Sequence, residues 1–165
     1  MSQVKAAVVY YSRYGHTTKV AGALAQQLGA EVRRIEETEQ RGFLGMGRGS
    51  VTNARFEIKP MDLDLSGCDT VVLCTPIWAG KPACPARTFV HDAQLEGKKV
   101  HVLFSTSGGD TDKAVETIGA DLAKKSATVG VTGCVITKRG RKETPDEELK
   151  QAGREFAMKV KGAGS

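Results

Sequence analysis

Val4-Lys5-Ala6-Ala7-Val8-Val9-Tyr10-Tyr11, followed at once by Ser12-Arg13-Tyr14-Gly15-His16-Thr17-Thr18, decides the architecture. The first half does not alternate polar with apolar residues, so it reads as a strand buried on both faces, in a sheet covered from both sides. The second half is a turn around a glycine. It leads into Val20, Leu24 and Leu28 at four-residue spacing, with Ala21 and Ala25 beside them and Gly29 as the stop, which predicts a helix over Thr17–Leu28. A doubly buried strand feeding a helix through a short turn is the opening of a βαβ unit.

The chain beyond repeats this alternation. Glu31–Ile35 reads as a short edge strand. The stretch Glu36–Lys59, with glycines at 42, 45, 47 and 49, reads as a long surface loop with room for one helical turn. Thr70–Thr75 and Val100–Ser105 are nearly all apolar and predict two central parallel strands with a helix over Pro85–His91 between them. A helix over Thr111–Lys125 carries Val115, Ile118 and Leu122 on one face, and Val129–Thr137 supplies a fifth strand. Thr144, Pro145 and Glu147 have the spacing of a capping box, with Thr144 as N-cap and Pro145 in the first helical position. The helix they open would bury Leu149, Ala152, Phe156 and Val160. The expectation is one α/β domain spanning 1–165, a doubly wound five-stranded parallel sheet.

Composition narrows the function classes. Of 165 residues, 40% are hydrophobic and 26% charged, which suits a globular chain rather than a disordered one. The longest apolar run, Ala6–Tyr11, falls far short of the roughly 18–20 residues that span a bilayer, so no membrane role is expected. The first residues show no cleavage pattern of a secretory leader, and the expected location is the cytoplasm. Cys68, Cys74, Cys84 and Cys134 match neither a zinc pattern nor a CxxC pair, and reduced thiols are expected. The net charge of +5 brings no basic stripe interleaved with aromatics, so no nucleic-acid partner is expected. Lys138-Arg139-Gly140-Arg141-Lys142, the densest basic stretch, reads as a solvated loop.

Parallel sheets of this kind bind ligands beyond the carboxyl ends of their strands, and three loops fall there. Ser12–Thr18 brings hydroxyls and a glycine to a helix N-terminus, where free N–H groups and the helix dipole favour a phosphate; the same residues also suit plain helix capping. Pro76-Ile77-Trp78-Ala79-Gly80 holds the only tryptophan of the chain in a turn. There it could stack on a planar ligand or pack against the Glu36–Lys59 loop. Ser107-Gly108-Gly109 would let the backbone approach a ligand closely, or be an ordinary strand-to-helix turn.

Together these loops resemble the flavodoxin family. Ser12-Arg13-Tyr14-Gly15-His16-Thr17 is similar to its phosphate loop, Pro76–Gly80 to its first flavin-stacking loop and Ser105–Gly109 to its second. Tyr14 stands where Thr is usual and His16 where Asn is frequent. The chain is basic where the electron carriers of the family are acidic, and Arg41-Gly42-Phe43-Leu44-Gly45 with Trp78-Ala79-Gly80-Lys81-Pro82 looks more like the NAD(P)H-dependent oxidoreductase branch. The resemblance implies strand order 2-1-3-4-5 and non-covalent FMN at the β1/β3 switch point, held by Ser12, Arg13, Tyr14, Gly15, His16, Thr17, Pro76, Ile77, Trp78, Ala79, Gly80, Ser107, Gly108 and Gly109. It implies electron transfer through that FMN, with a redox partner protein. The alternative is an NAD(P)H-dependent FMN or quinone oxidoreductase acting on NAD(P)H and a small acceptor. A third reading, an interaction domain that has lost its flavin, is opposed by the intact hydroxyl-glycine loop.

No carboxylate pair, Ser/His/Asp order or metal spacing offers side-chain chemistry of its own, so no catalytic residue and no metal ligand is expected. His91 and His101 read as structural, at a helix end and inside a strand. Cys84 reads as a buried small hydrophobe or a redox thiol, and Asp110 and Asp112 read as helix caps. Arg13, Lys19, Lys81 and Arg87 in or near the loops predict a positive mouth, suited to an anionic ligand or an acidic partner.

Overall fold

β1 (Ala6–Tyr10) is buried at every position and lies between two parallel neighbours, β2 (Glu31–Arg34) and β3 (Thr70–Trp78). The computed structural model describes residues 5–38 and 56–163. β5 (Lys99–Thr106) pairs with β3, and β6 (Thr128–Ile136) pairs with β5, all parallel. The order β2-β1-β3-β5-β6 is the expected 2-1-3-4-5 once β4 (Lys81–Pro82) is set aside. That short strand was not foreseen. It folds back antiparallel on β3 through Ala79 and Gly80, both at positive φ (49° and 81°). Two such residues make the two-residue hairpin turn whose twist matches its strands.

Alternation along the strands divides the core. Val8, Tyr10, Val72, Cys74 and Leu103 face α1 (His16–Leu28) and α4 (Asp146–Gly162). Ala7, Val9, Leu73, Val102 and Phe104 face α2 (Cys84–Asp92) and α3 (Asp112–Ala123). Phe89 and Phe104 are each 1% exposed, and full burial of a side chain of that size is worth about 1.5–3 kcal/mol. α1 and α4 touch through a glycine: a Cβ at Gly153 would stand 2.3 Å from the Val20 carbonyl oxygen.

The start of α4 departs from the sequence reading. Pro145 is the N-cap, no side chain caps the helix, and Asp146, Glu147 and Glu148 in the first turn meet the positive end of its dipole. Thr144 is occupied elsewhere, because its Oγ1 accepts from the Lys138 N–H at 2.8 Å and donates to the Ile136 carbonyl at 3.3 Å. The capping box is lost because the loop after β6 takes that hydroxyl to close on itself.

Other local expectations meet the structure directly. Asp110 Oδ1 accepts from the Asp112 N–H at 2.8 Å at the entrance to α3, while Asp112 is the first helical residue. His101 is buried, and its Nδ1 accepts from the Val131 N–H at 2.9 Å beside an irregularity in the β5–β6 ladder. The two ends of the Glu36–Lys59 stretch meet in an antiparallel bridge, Glu37 with Ile58. The segment Arg41-Gly42-Phe43-Leu44-Gly45 and the expected helical turn lie outside the described residues.

Candidate functional site

The carboxyl ends of β1, β3 and β5 surround a cavity of about 50 Å³. From β1 and the turn after it come Ser12, Arg13, Tyr14, His16 and Thr17; from β3 come Pro76 and Trp78. Two further residues, Ser105 at the end of β5 and Thr137 just past β6, complete the wall. Gly15, at φ +95°, is the N-cap of α1, and its N–H donates to Ser12 Oγ at 3.0 Å. No side chain caps α1, so the N–H groups of its first turn are open to a ligand. Thr17 is buried, with Oγ1 2.8 Å from Ser105 Oγ. His16 is buried too, and its Nε2 lies 3.1 Å from Glu143 Oε1.

Arg13 and Tyr14 take separate routes. Tyr14 is 52% exposed, with the Arg139 guanidinium 3.5 Å from its ring centroid and that of Arg13 at 5.9 Å. Arg13 reaches Glu37, whose side chain is 3% exposed; Nη1 is 3.8 Å from Oε1. The Tyr11 hydroxyl donates to the same carboxylate oxygen. Burial, then the hydrogen bond and charge of Glu37, push the Tyr11 phenol well above its ordinary range. Arg13 Nη1 and Glu37 Oε2 are both buried, without a hydrogen-bond partner among the described residues. On the far side of Glu37 lies a second cavity of about 220 Å³, rimmed by Arg34, Glu36 and Lys59.

Trp78 is not at a loop tip. It is the last residue of β3 and 7% exposed, edge-on to Tyr11 (5.6 Å between ring centroids, 83° between planes) and tilted against Phe56 at 5.9 Å. Phe56 belongs to the Glu36–Lys59 stretch, so the packing alternative describes this structure while the indole still lines the cavity. Ile77 is half-buried and pairs with Pro82, and Ala79 and Gly80 form the hairpin turn beyond. Ser107, Gly108 and Gly109 follow β5 as an exposed bend whose two glycines, at φ +147° and +97°, face open space. Thr106 Oγ1 donates to the Gly108 carbonyl at 2.9 Å and steadies that bend.

The expected positive mouth is largely neutralised. Lys19 is 2.5 Å from Asp146, and Arg87 makes a two-pronged contact with Asp121 on α3, at 2.7 and 3.0 Å. All four cysteines are thiols; Cys84 is buried at the start of α2, and burial pushes Cys74 up to about 12. Among the described residues, no group of three or more His, Cys, Asp and Glu side chains could hold a metal ion, and no helix is long and apolar enough to cross a membrane.

No family model matches the chain. Solved structures do. A protein of Bacteroides eggerthii DSM 20697 assigned to the flavoproteins superposes with a TM-score of 0.73 at 18% identity, over 96% of this chain and 99% of its own. A flavoprotein of Lactobacillus acidophilus NCFM, in complex with FMN, gives 0.66 at 17% identity over 80% and 93%. Oxidised flavodoxin 2 of Bacillus cereus gives 0.57 at 18% identity over 96% and 99%.

The chain has the flavodoxin fold.

Within that flavodoxin fold the cavity sits at the β1/β3 switch point, where strand order reverses. Thr137, Glu37, Glu143 and Arg139 are site neighbours that the sequence reading did not single out, and Ser105, named as the start of the second stacking loop, was not among the expected cofactor-binding residues. Ser105 carried a signal, as the polar last residue of an apolar central strand. Glu37 carried none, because only the bridge to Ile58 turns it inward.

Proposed function

We propose that the protein binds FMN non-covalently at this cavity and transfers electrons through it to or from a redox partner protein. The observation that carries the reading is the uncapped first turn of α1 at a cavity lined by Ser12, Thr17 and Ser105, at the switch point of a flavodoxin fold. The residues present fit a phosphate monoester. Ser12 and Thr17 supply hydroxyls, the first turn of α1 supplies N–H donors, and buried Arg13 Nη1, an ion-pair distance of 3.8 Å from Glu37, makes no hydrogen bond among the described residues. Each charge-assisted hydrogen bond of this kind contributes about 1.5–3 kcal/mol.

In this assignment Ser12, Arg13, Tyr14, Gly15, His16 and Thr17 hold the phosphate end. Pro76, Ile77, Trp78, Ala79 and Gly80 line one side of the ring system, and Ser107, Gly108 and Gly109 the other. Bound FMN supplies the redox chemistry. Trp78, wedged between Tyr11 and Phe56, offers a fixed apolar edge rather than a mobile lid. The Ala79-Gly80 turn and the glycine bend leave room for backbone contact.

Titration of the apoprotein with FMN and with riboflavin tests the reading. FMN should bind at least a hundredfold more tightly, and equal affinities would refute the phosphate assignment. The FMN-loaded protein should resist reduction by NADH and NADPH while accepting electrons from a chemical or photochemical donor. Rapid bleaching of the flavin by either nucleotide would replace the carrier reading with the oxidoreductase one.

A further inference from the structure

The basic stretch Lys138-Arg139-Gly140-Arg141-Lys142 lies beside the site, and it is built rather than loose. Thr144 Oγ1 accepts from the Lys138 N–H, the Thr144 N–H donates to the Lys138 carbonyl at 3.0 Å, and the Glu143 N–H donates to the Gly140 carbonyl at 3.1 Å. Two contacts fasten it to the entrance of α1: Arg139 over the ring of Tyr14, in the turn before the helix, and Glu143 at His16, its first residue. Lys138, Arg139, Arg141 and Lys142 are all exposed, and none is within ion-pair distance of a carboxylate among the described residues. Of the acids that follow the loop, Glu143 contacts His16, Asp146 pairs with Lys19 and Glu147 with Arg154, while Glu148 is exposed with no ion pair among the described residues.

We infer that this loop is the docking contact for an acidic protein partner, set at the rim of the proposed cofactor site. The inference rests on the proposed function only for the partner being a redox protein. The charge is four cations within five residues, held in place, beside a rim where Lys19 and Arg13 are paired with carboxylates. A nucleotide needs walls, and this loop lines no described cavity. Its exposed array suits a broad macromolecular face carrying carboxylates. Charges of this kind act within a Debye length of about 8–10 Å. They speed encounter and fix orientation, and they lose effect as salt rises.

The probe is a small acidic [2Fe–2S] ferredoxin carrying a fluorescent label, its binding to the FMN-loaded protein read by anisotropy between 20 and 500 mM salt, concentrations chosen on the order of Debye lengths from about 20 to 4 Å. Affinity should fall at least tenfold across that range. A variant with Lys138, Arg139, Arg141 and Lys142 all replaced by Gln should lose at least tenfold at low salt and show a flattened salt dependence. A charge-matched variant with Lys124, Lys150, Lys159 and Lys161 replaced by Gln should bind like the unmodified protein. Equal losses in the two variants would mean that net charge alone attracts the probe, and would overturn the inference; so would no loss in the first, or tighter binding of a basic c-type cytochrome. The loop variant should keep its thermal transition, since the four side chains are exposed. If the protein does not take up FMN, the cofactor reading fails, and the same binding series on the unloaded protein still decides whether the loop docks an acidic face.

Discussion

Replacing Gly153 by Ala should separate the two helices that position the site. The new Cβ would stand 2.3 Å from the Val20 carbonyl oxygen, 3.1 Å from the Leu24 nitrogen and 3.2 Å from the Val20 carbonyl carbon. Ordinary contact begins near 3.4 Å, so α4 must retreat from α1 by about 1 Å. The obstacle is backbone, and no rotamer change relieves it. Ala in place of Gly inside a helix gains about 1 kcal/mol, while overpacking costs about 1–3 kcal/mol, here at the upper end. The net loss is about 1–2 kcal/mol, or a fall of about 2–8 °C in Tm for a chain of this size. α1 also carries Thr17, so its displacement should stretch the 2.8 Å contact with Ser105 and weaken binding of FMN. Gly22→Ala is the control on α1, because a Cβ there meets nothing within 4 Å, and it should raise stability by up to about 1 kcal/mol. Thermal and urea unfolding of both variants, with and without FMN, checks the pair. A Gly153→Ala protein as stable as Gly22→Ala would refute the close approach.

Thr17→Val should weaken FMN about tenfold and, by leaving buried Ser105 Oγ without its partner, destabilise the apoprotein by about 1 kcal/mol; unchanged FMN affinity in a titration would exclude Thr17 from the site. Ala79→Asn should stabilise by about 0.5–1 kcal/mol, because Ala79 sits at φ +49° where Asn is better tolerated; a lower Tm would argue against that turn. Burial, with the charge of Lys99 adding, holds His101 below its ordinary pKa. The unfolded chain therefore takes up the proton first as pH falls, so the contribution of His101 is full above about pH 6.5 and is lost as pH drops toward the folded value. The acid-side loss should flatten in His101→Asn, whose Oδ1 stands where Nδ1 does and can still accept from the Val131 N–H. Urea unfolding at several pH values between 7.5 and 5 would show the difference, and identical pH dependence in the two proteins would count against a buried neutral imidazole.

The central strands β1, β3 and β5 were legible because they are buried on both faces, whereas the edge strands β2 and β6 are partly exposed. A run such as Val8-Val9-Tyr10 or Val71-Val72-Leu73 has no solvent side and locates the strand, although β3 runs on past the expected end at Thr75 to Trp78. Where a residue had two possible uses, local pattern chose the wrong one. Thr144 and Pro145 have ideal spacing for a cap, yet the hydroxyl closes the loop after β6, a long-range choice that spacing cannot encode. Lys81-Pro82 is too short to announce a strand. Trp78 looked like a loop residue because Pro76, Ala79 and Gly80 surround it. In the structure the glycine serves the hairpin turn, and the indole is drawn inward by Tyr11 and Phe56, one of them far along the chain.

The charge of the site shows the same division between near and far. Arg13, Lys19 and Arg87 were counted as a positive mouth because each lies close in sequence to a site loop. Their partners Glu37, Asp146 and Asp121 lie 24, 127 and 34 positions away, and no local pattern connects them. A paired exposed lysine contributes little beyond solubility, whereas Arg13 and Glu37 are half-buried together, each with a buried atom that makes no hydrogen bond among the described residues. Such a pair is costly unless something completes it, and Arg13 lines the cavity where an acceptor would do so. A phosphate there would draw Arg13 further from Glu37 and leave the carboxylate dependent on the Tyr11 hydroxyl. Glu37→Gln should therefore strengthen phosphate binding, by freeing the guanidinium, while removing the charge that pushes Tyr11 up. Calorimetric titration with inorganic phosphate and with FMN, beside an absorbance titration of the tyrosines, would check both effects. If Glu37→Gln binds phosphate more weakly, Glu37 holds Arg13 in place for the anion, and the competition argued here is wrong.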